Sequence, residues 1–372
     1  MKIVFLSNFY NHHQAFLSKK LYELTSGQYK FIEVEKMPNE RMNLGYSNKK
    51  DEYVVYYYDS CEDAQGWIDN ADVLIVGSVA EKFFKRRKDN NKLIIKYSER
   101  PLKKGLELWK YPIRWIRWHR NSPPNKLIYM LCASGYTAAD YAKFGMYKNK
   151  TYKWGYFPEC KKYEDLSSLM RNKKRDEILW CGRFLDWKHP DDVLTVAEYL
   201  KRDGYQFHVS IIGTGEMQDY LQKRIIKNEM QDYVSLLGAM KPEMVRQYME
   251  NAGIFLFTSD RKEGWGVVLN ESMNSGCAVV ASHEIGSVPY LMKDNENGLV
   301  YESQNIKMLY EKVKYLLDFK DEQKRLGEAA YYTIVTEWNY EIAAERLVEL
   351  VNQISSDNSG CDLYNSGPCS RA

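Results

Sequence analysis

The chain has 372 residues, 44% of them hydrophobic and 28% charged, with a formal net charge of +3. That length outgrows a single hydrophobic core, so two domains are expected, and the composition excludes a disordered body. No apolar run approaches the roughly 20 residues of a membrane-spanning helix, and the N-terminus lacks the apolar stretch of an export signal, which predicts a cytoplasmic location.

In chain order, β-rich runs predict strands at 2–6, 29–35, 54–58, 73–77, 93–97, 127–132 and 152–157. The loop after the first reads Ser7-Asn-Phe-Tyr-Asn-His12-His13-Gln14. Between residues 82 and 120 stand 14 Lys or Arg against three acids, Asp89, Glu99 and Glu107, with Trp109, Trp115 and Trp118 interleaved. Amphipathic rings favour the water–lipid boundary and cations are drawn to anionic headgroups, so a peripheral contact with anionic membrane through 82–120 is expected. The competing reading is a solvated face whose tryptophans pack internally. Basic and aromatic residues also combine in single-strand binders, but no nucleic-acid motif stands elsewhere and nucleic acid is not expected as a partner.

The polar, non-periodic segment 158–176 predicts a linker. Beyond it, strands are expected at 178–181, 208–212, 234–237, 254–258, 278–281 and 298–301, with helices at 190–201, 216–227 and 243–250 among them. Alternation of strand and helix implies parallel sheets covered on both faces. The fold class is therefore α/β, with two doubly wound, Rossmann-like domains at 1–157 and 177–339. Trp338 and the amphipathic run after it predict a terminal helix over 340–355, and the Ser-, Asn- and Gly-rich remainder, 356–372, is expected to be a flexible tail.

Sheets of this kind bind ligands beyond the carboxyl ends of their strands, and the chemistry of the second half gathers there. After the strand at 178–181 comes Gly182-Arg183-Phe-Leu-Asp-Trp-Lys188-His-Pro190. Pro190 suits the first turn of a helix, which leaves a planar guanidinium and a compact ammonium on one loop, able to hold a diphosphate. After the strand at 208–212, Gly213-Thr-Gly215 permits a tight turn and close backbone approach to a ligand. After the strand at 254–258 comes Glu263-Gly264-Trp265-Gly266-Val-Val-Leu-Asn-Glu271. If a helix starts near Gly266, its free amides and positive dipole end suit a phosphate, and Glu271 lies about five residues in, roughly 7.5 Å along the axis.

No metal is expected, because no closely spaced Asp-x-Asp stands at a predicted strand end and the cationic pair already supplies the charge a divalent ion would bring. The seven cysteines are scattered and form no close pairs, so they are read as reduced and structural.

Taken together, Gly182-Arg183 with Lys188, Gly213-Thr-Gly215, Leu237-Gly238, Ser259 with Glu263-Gly-Trp-Gly, Glu271-Ser-Met-Asn-Ser-Gly276-Cys-Ala-Val-Val, Gly286-Ser-Val-Pro289 and Asn297-Gly298-Leu-Val resemble the nucleotide-binding domain of GT-B glycosyltransferases. In particular they resemble the retaining enzymes of glycosyltransferase family 4, the group 1 glycosyltransferases. The resemblance spans about residues 178–301. It implies two Rossmann-like domains facing across a cleft, with the terminal helix packing back on the first. It also implies Arg183 and Lys188 on the donor diphosphate, Glu271 on the ribose, Glu263 and the following amides on the transferred sugar, and Trp265 beside that sugar.

The implied reaction is transfer from a nucleoside-diphosphate sugar, UDP-sugars being the commonest family choice, to a saccharide or lipid-linked acceptor, as in bacterial capsule or exopolysaccharide assembly. The first half departs from the family pattern, with no glycine in its first loop and Lys96-Tyr-Ser98-Glu99-Arg100 where the family often carries a histidine. His12 and His13 are expected on the acceptor side, with Ser98 or Glu99 in the place of the missing histidine. Two other readings stand beside this one: a nucleotide-sugar epimerase or hydrolase of the same fold, and an inactive scaffold partner of another transferase.

Overall fold

The structure, a computed structural model, describes residues 1–36, 51–357 and 362–372, with the side chains of His12 and Asp357 outside that description. The chain forms two compact units, Met1–Glu159 with Trp338–Ala372, and Cys160–Glu337.

The first unit is built on seven strands: β1 (Ile3–Ser7), β2 (Tyr29–Glu33), β3 (Val54–Tyr56), β4 (Val73–Val76), β5 (Ile94–Ser98), β6 (Ile128–Cys132) and β7 (Thr151–Lys153). They pair in parallel in the order β3-β2-β1-β4-β5-β6-β7. Every residue of β1, β4 and β6 is buried, which is what continuous apolar runs require of a sheet covered on both faces. The His12–Leu24 helix follows β1, capped by the Asn11 side chain accepting from the His13 amide at 3.0 Å. Against it packs the terminal helix Tyr340–Asp357, with the rings of Phe16 and Tyr340 5.5 Å apart and Lys20 3.7 Å from Glu345.

The end of the chain corrects the expectation of a flexible tail. Residues 358–361 lie outside the described residues, but Cys369 and Ser370 are buried. The Lys153 amide donates to the Ser370 carbonyl and the Cys369 amide to the Lys153 carbonyl, both at 2.8 Å. The tail thus covers the open edge of β7 through main-chain pairing, a device that composition does not reveal.

The second unit carries six parallel strands: β8 (Lys174–Cys181), β9 (His208–Ile212), β10 (Val234–Gly238), β11 (Ala252–Phe257), β12 (Ala278–Ser282) and β13 (Leu299–Tyr301), in the order β10-β9-β8-β11-β12-β13. The core lies between β8, β9, β11 and the helices that cover them, among them Pro190–Arg202 and Ile306–Asp318.

A second correction concerns 158–176, which is not a plain linker: it holds a helix, Leu166–Asn172, and the first residues of β8. Charge masks this segment, because the start of β8 alternates exposed and half-buried residues. Lys173, although charged, is buried, its ammonium donating to the carbonyls of Met249, Glu250 and Ala252 at 3.0, 3.2 and 2.8 Å.

Candidate active site

The predicted donor-side residues all lie in the second unit, on the loops leaving the carboxyl ends of β8, β9 and β11 or, for Glu271, in the helix that follows the last of these. From β8 the chain passes through Gly182, Arg183 and Lys188 to His189, whose left-handed φ of 49° turns it into the Pro190–Arg202 helix. Arg183 is exposed and makes no ion pair among the described residues. Lys188 is held by its backbone: the Thr258 hydroxyl reaches the carbonyls of Lys188 and His189 at 2.7 and 3.0 Å, and accepts the Trp180 indole N–H at 2.9 Å.

Gly213 and Gly215 make a close approach of backbone to backbone possible. Their φ values are 138° and 154°, and an added Cβ would stand 1.8 Å from the Gly182 carbonyl oxygen at the first and 2.6 Å from that of Phe184 at the second. The Gly213 amide is spent on the Gly238 carbonyl at 2.9 Å, and the Phe184 amide on the Thr214 carbonyl at 2.8 Å. The two glycines therefore let the β9 loop press on the loop carrying Arg183, and the Gly215 amide has no acceptor among the described residues.

The β11 loop brings the predicted acid to the predicted base. Lys188 Nζ donates to Glu263 Oε2 at 2.5 Å, and the Ser259 hydroxyl donates to the same oxygen at 3.1 Å. Both side chains of the pair are mostly buried. The Val267–Asn274 helix begins here with Gly266 as its N-cap at a φ of 85°, a conformation that glycine adopts without strain. The amides of Gly264 and Gly266 have no acceptor among the described residues, so unpaired N–H groups and a helix start flank the Lys188–Glu263 pair. Glu271 is the fifth residue of this helix and half-buried. Burial pushes the Cys181 thiol up to about 12, helped by the Glu271 carboxylate and opposed by the Lys188 ammonium, which puts both charged groups beside the end of β8.

Trp265 corrects an expectation. Its side chain is 1% exposed and its indole N–H donates to Asn270 Oδ1 at 2.8 Å. The ring lies buried beneath the loop instead of on the open face where the sequence reading put it. Sequence reading gave Gly286-Ser-Val-Pro289 no task, yet it fastens this loop: the Ser287 hydroxyl donates to the Trp265 carbonyl at 2.6 Å and the Gly286 amide to the Glu263 carbonyl at 3.2 Å. Those glycine and serine positions in the motif were the available signal.

The expected acceptor-side residues lie in the first unit. His12 opens the helix after β1 and its side chain lies outside the description, while His13 sits half-buried on the same first turn. Ser98 ends β5 and donates to the Glu99 carbonyl at 2.7 Å. The Glu99 carboxylate accepts from Tyr156 at 2.9 Å and from Lys103 at 2.5 Å.

One group among the described residues could hold a cation: the ligand atoms of His189, Asp191 and Asp192 all lie within 4.8 Å of one another. His189 Nε2 and Asp191 Oδ1 are buried without a hydrogen-bond partner. Burial raises the Asp192 carboxyl to about 6, with Asp191 adding to the rise and His189 opposing it. The two aspartates also occupy the first turn of the Pro190–Arg202 helix, where the dipole favours carboxylates without any metal.

Residues 162–333 match the family model described as glycosyl transferases group 1. Among curated proteins, the chain is 28% identical over 183 residues to the amylovoran biosynthesis glycosyltransferase AmsK of Erwinia amylovora, covering 48% of this chain and 45% of that one. It is 30% identical over 141 residues to the N-acetylgalactosamine-N,N'-diacetylbacillosaminyl-diphospho-undecaprenol 4-alpha-N-acetylgalactosaminyltransferase of Campylobacter jejuni, covering 38% of this chain and 37% of that one. The chain thus matches less than half the length of either relative. Among solved structures, HepE of Anabaena in complex with UDP superposes with a TM-score of 0.71 at 14% identity, over 95% of this chain and 100% of that one. The two share the GT-B fold.

Proposed function

We propose that this chain, which carries a group 1 glycosyltransferase domain over residues 162–333, moves a sugar from a nucleoside-diphosphate sugar to a saccharide or lipid-linked saccharide acceptor. The donor is a UDP-sugar in this reading, and the setting is cell-surface glycan synthesis of the capsule or exopolysaccharide kind, at the cytoplasmic face of a membrane that residues 82–120 contact. AmsK is named for amylovoran biosynthesis and the Campylobacter enzyme for a diphospho-undecaprenol substrate, and HepE binds UDP; these names support the reading.

The observation that carries the reading is the Lys188–Glu263 pair beside the amides of Gly264 and Gly266, which have no acceptor among the described residues. An ammonium has three donors, so the one given to Glu263 leaves two for phosphate oxygens. Arg183, exposed and without an ion pair among the described residues, adds a planar fork. These groups would neutralise the charge that grows on a departing diphosphate, catalysis by electrostatic stabilisation and positioning. Glu271 would hold the ribose. Glu263 is tied to Lys188 and Ser259 and so is a poor nucleophile, which favours departure and attack on one face of the sugar, retention of configuration, and proton transfer from the acceptor to the leaving phosphate. His12, His13, Ser98 and Glu99 are assigned to the acceptor, and the reaction is taken to need no metal.

The experiment is to incubate the protein with UDP-sugars, with and without saccharide acceptors, and follow nucleotide release. Acceptor-dependent release with a retained anomer is expected, unchanged by EDTA. Isomerised donor without release would support an epimerase, and donor binding without either would support a scaffold. Loss of activity in EDTA, restored by zinc or manganese, would transfer attention to His189, Asp191 and Asp192.

A further inference from the structure

The basic, tryptophan-containing segment resolves into two parts with different roles. Arg87 is buried, its guanidinium donating to the carbonyls of Ile68, Ala71, Asp72 and Leu93, and Lys88 is buried on Glu81. Lys85 and Arg86 are paired with Asp89 and Asp69. That part is structural.

The Tyr111–Asn121 helix and the turn before it are different. On its inner side Tyr111 stacks on Phe144 at 4.5 Å, and Trp118 packs against Phe144 and Tyr141 at 4.5 and 4.9 Å. Trp118 is thus half-buried against the cluster of Leu102, Phe144 and Met146, packing inward as the solvated-face reading expected. The outer side does not: Leu108, Trp109, Ile113 and Ile116 are 76, 72, 63 and 61% exposed, with Trp115 at 45%. Single exposed apolar side chains are ordinary, but a contiguous group of this size marks an interaction surface. Residues 108–121 hold four Lys or Arg and no acid. Lys110 and Arg114 turn toward Glu107, at 2.5 and 2.6 Å, while Arg117 and Arg120 are exposed with no acidic partner among the described residues. Ile113, Ile116 and Arg120 follow the i, i+3, i+7 spacing of one helix face.

We infer that this helix and its preceding turn are an interfacial anchor, seating Leu108, Trp109, Ile113 and Ile116 among the headgroups of an anionic bilayer with Arg117 and Arg120 on lipid phosphates. The inference rests on the peripheral contact of the proposed function, to which it gives an element and an orientation. An 11-residue helix is about 16 Å long, far too short to span a bilayer, so it lies along the surface. A second copy of the chain is the poorer occupant, because pairing this face with itself would set two basic surfaces without an acid against each other.

The test is co-flotation with vesicles of phosphatidylcholine alone or with roughly a third phosphatidylglycerol. Binding to the anionic vesicles is expected, at least about tenfold weaker to neutral vesicles and at high salt. The double variants Ile113→Ser/Ile116→Ser and Arg117→Gln/Arg120→Gln should each weaken it about tenfold, with far-ultraviolet circular dichroism and nucleotide release to a soluble acceptor unchanged. Equal binding to both vesicle types, no binding by the parent protein, or variants that float like the parent would overturn the inference. So would a dimer in gel filtration that the isoleucine variant abolishes. Failure of nucleotide release alongside intact flotation would count against the proposed reaction and leave the anchor standing.

Discussion

The environment of Asp192 works against its charge. Burial holds its carboxyl at about 6, above the ordinary aspartate value near 3.9. The folded chain therefore takes up a proton before the unfolded chain does, so this group's contribution to stability is greatest below about pH 4 and is lost as pH rises through 6. Asp192→Asn is expected to raise the thermal midpoint at pH 7 and to flatten the stability profile between pH 4 and 6. A midpoint that falls at pH 7 would mean the carboxylate has a partner that matters. The placement of Arg183, Lys188 and Glu263 on strand-end loops was legible in the sequence because the strands before them are continuous apolar runs. Trp265 was not legible: indole beside glycines reads the same whether the ring faces a ligand or the core, and its burial and the Asn270 hydrogen bond tell them apart.

At the scale of elements, the β9 loop is a spacer. Because a Cβ at Gly213 would meet the Gly182 carbonyl at 1.8 Å, Gly213→Ala should cost at least about 2 kcal/mol through overpacking and an unfavourable φ, read by chemical denaturation, and should displace Arg183 with it. A loss under ~0.5 kcal/mol would show that the two loops move apart freely. Strand positions were legible in both sheets because buried parallel strands are continuous apolar runs. The first residues of β8 and the terminal segment on β7 were not, since each is held by main-chain bonds and by a buried lysine or an edge, and polar composition hides both.

Across the whole molecule, a net charge of +3 conceals a division of labour. Part of the basic excess of the first unit is consumed by buried carbonyls and acids, and part is displayed on one helix beside exposed isoleucines and tryptophan. Sequence alone gave the regional excess but not that partition, which depends on which side chains the sheet's helices cover. The second unit concentrates its chemistry at three strand ends, the arrangement a doubly wound sheet offers to an anionic ligand. The most direct measurement is calorimetric binding of UDP, UMP and uridine to the parent protein and to Arg183→Ala and Lys188→Ala. Affinity should rise with each phosphate, and each variant should lose about tenfold for UDP, roughly 1.4 kcal/mol, while binding uridine as the parent does. UDP held no tighter than uridine, or unchanged by either substitution, would contradict a diphosphate site at these residues.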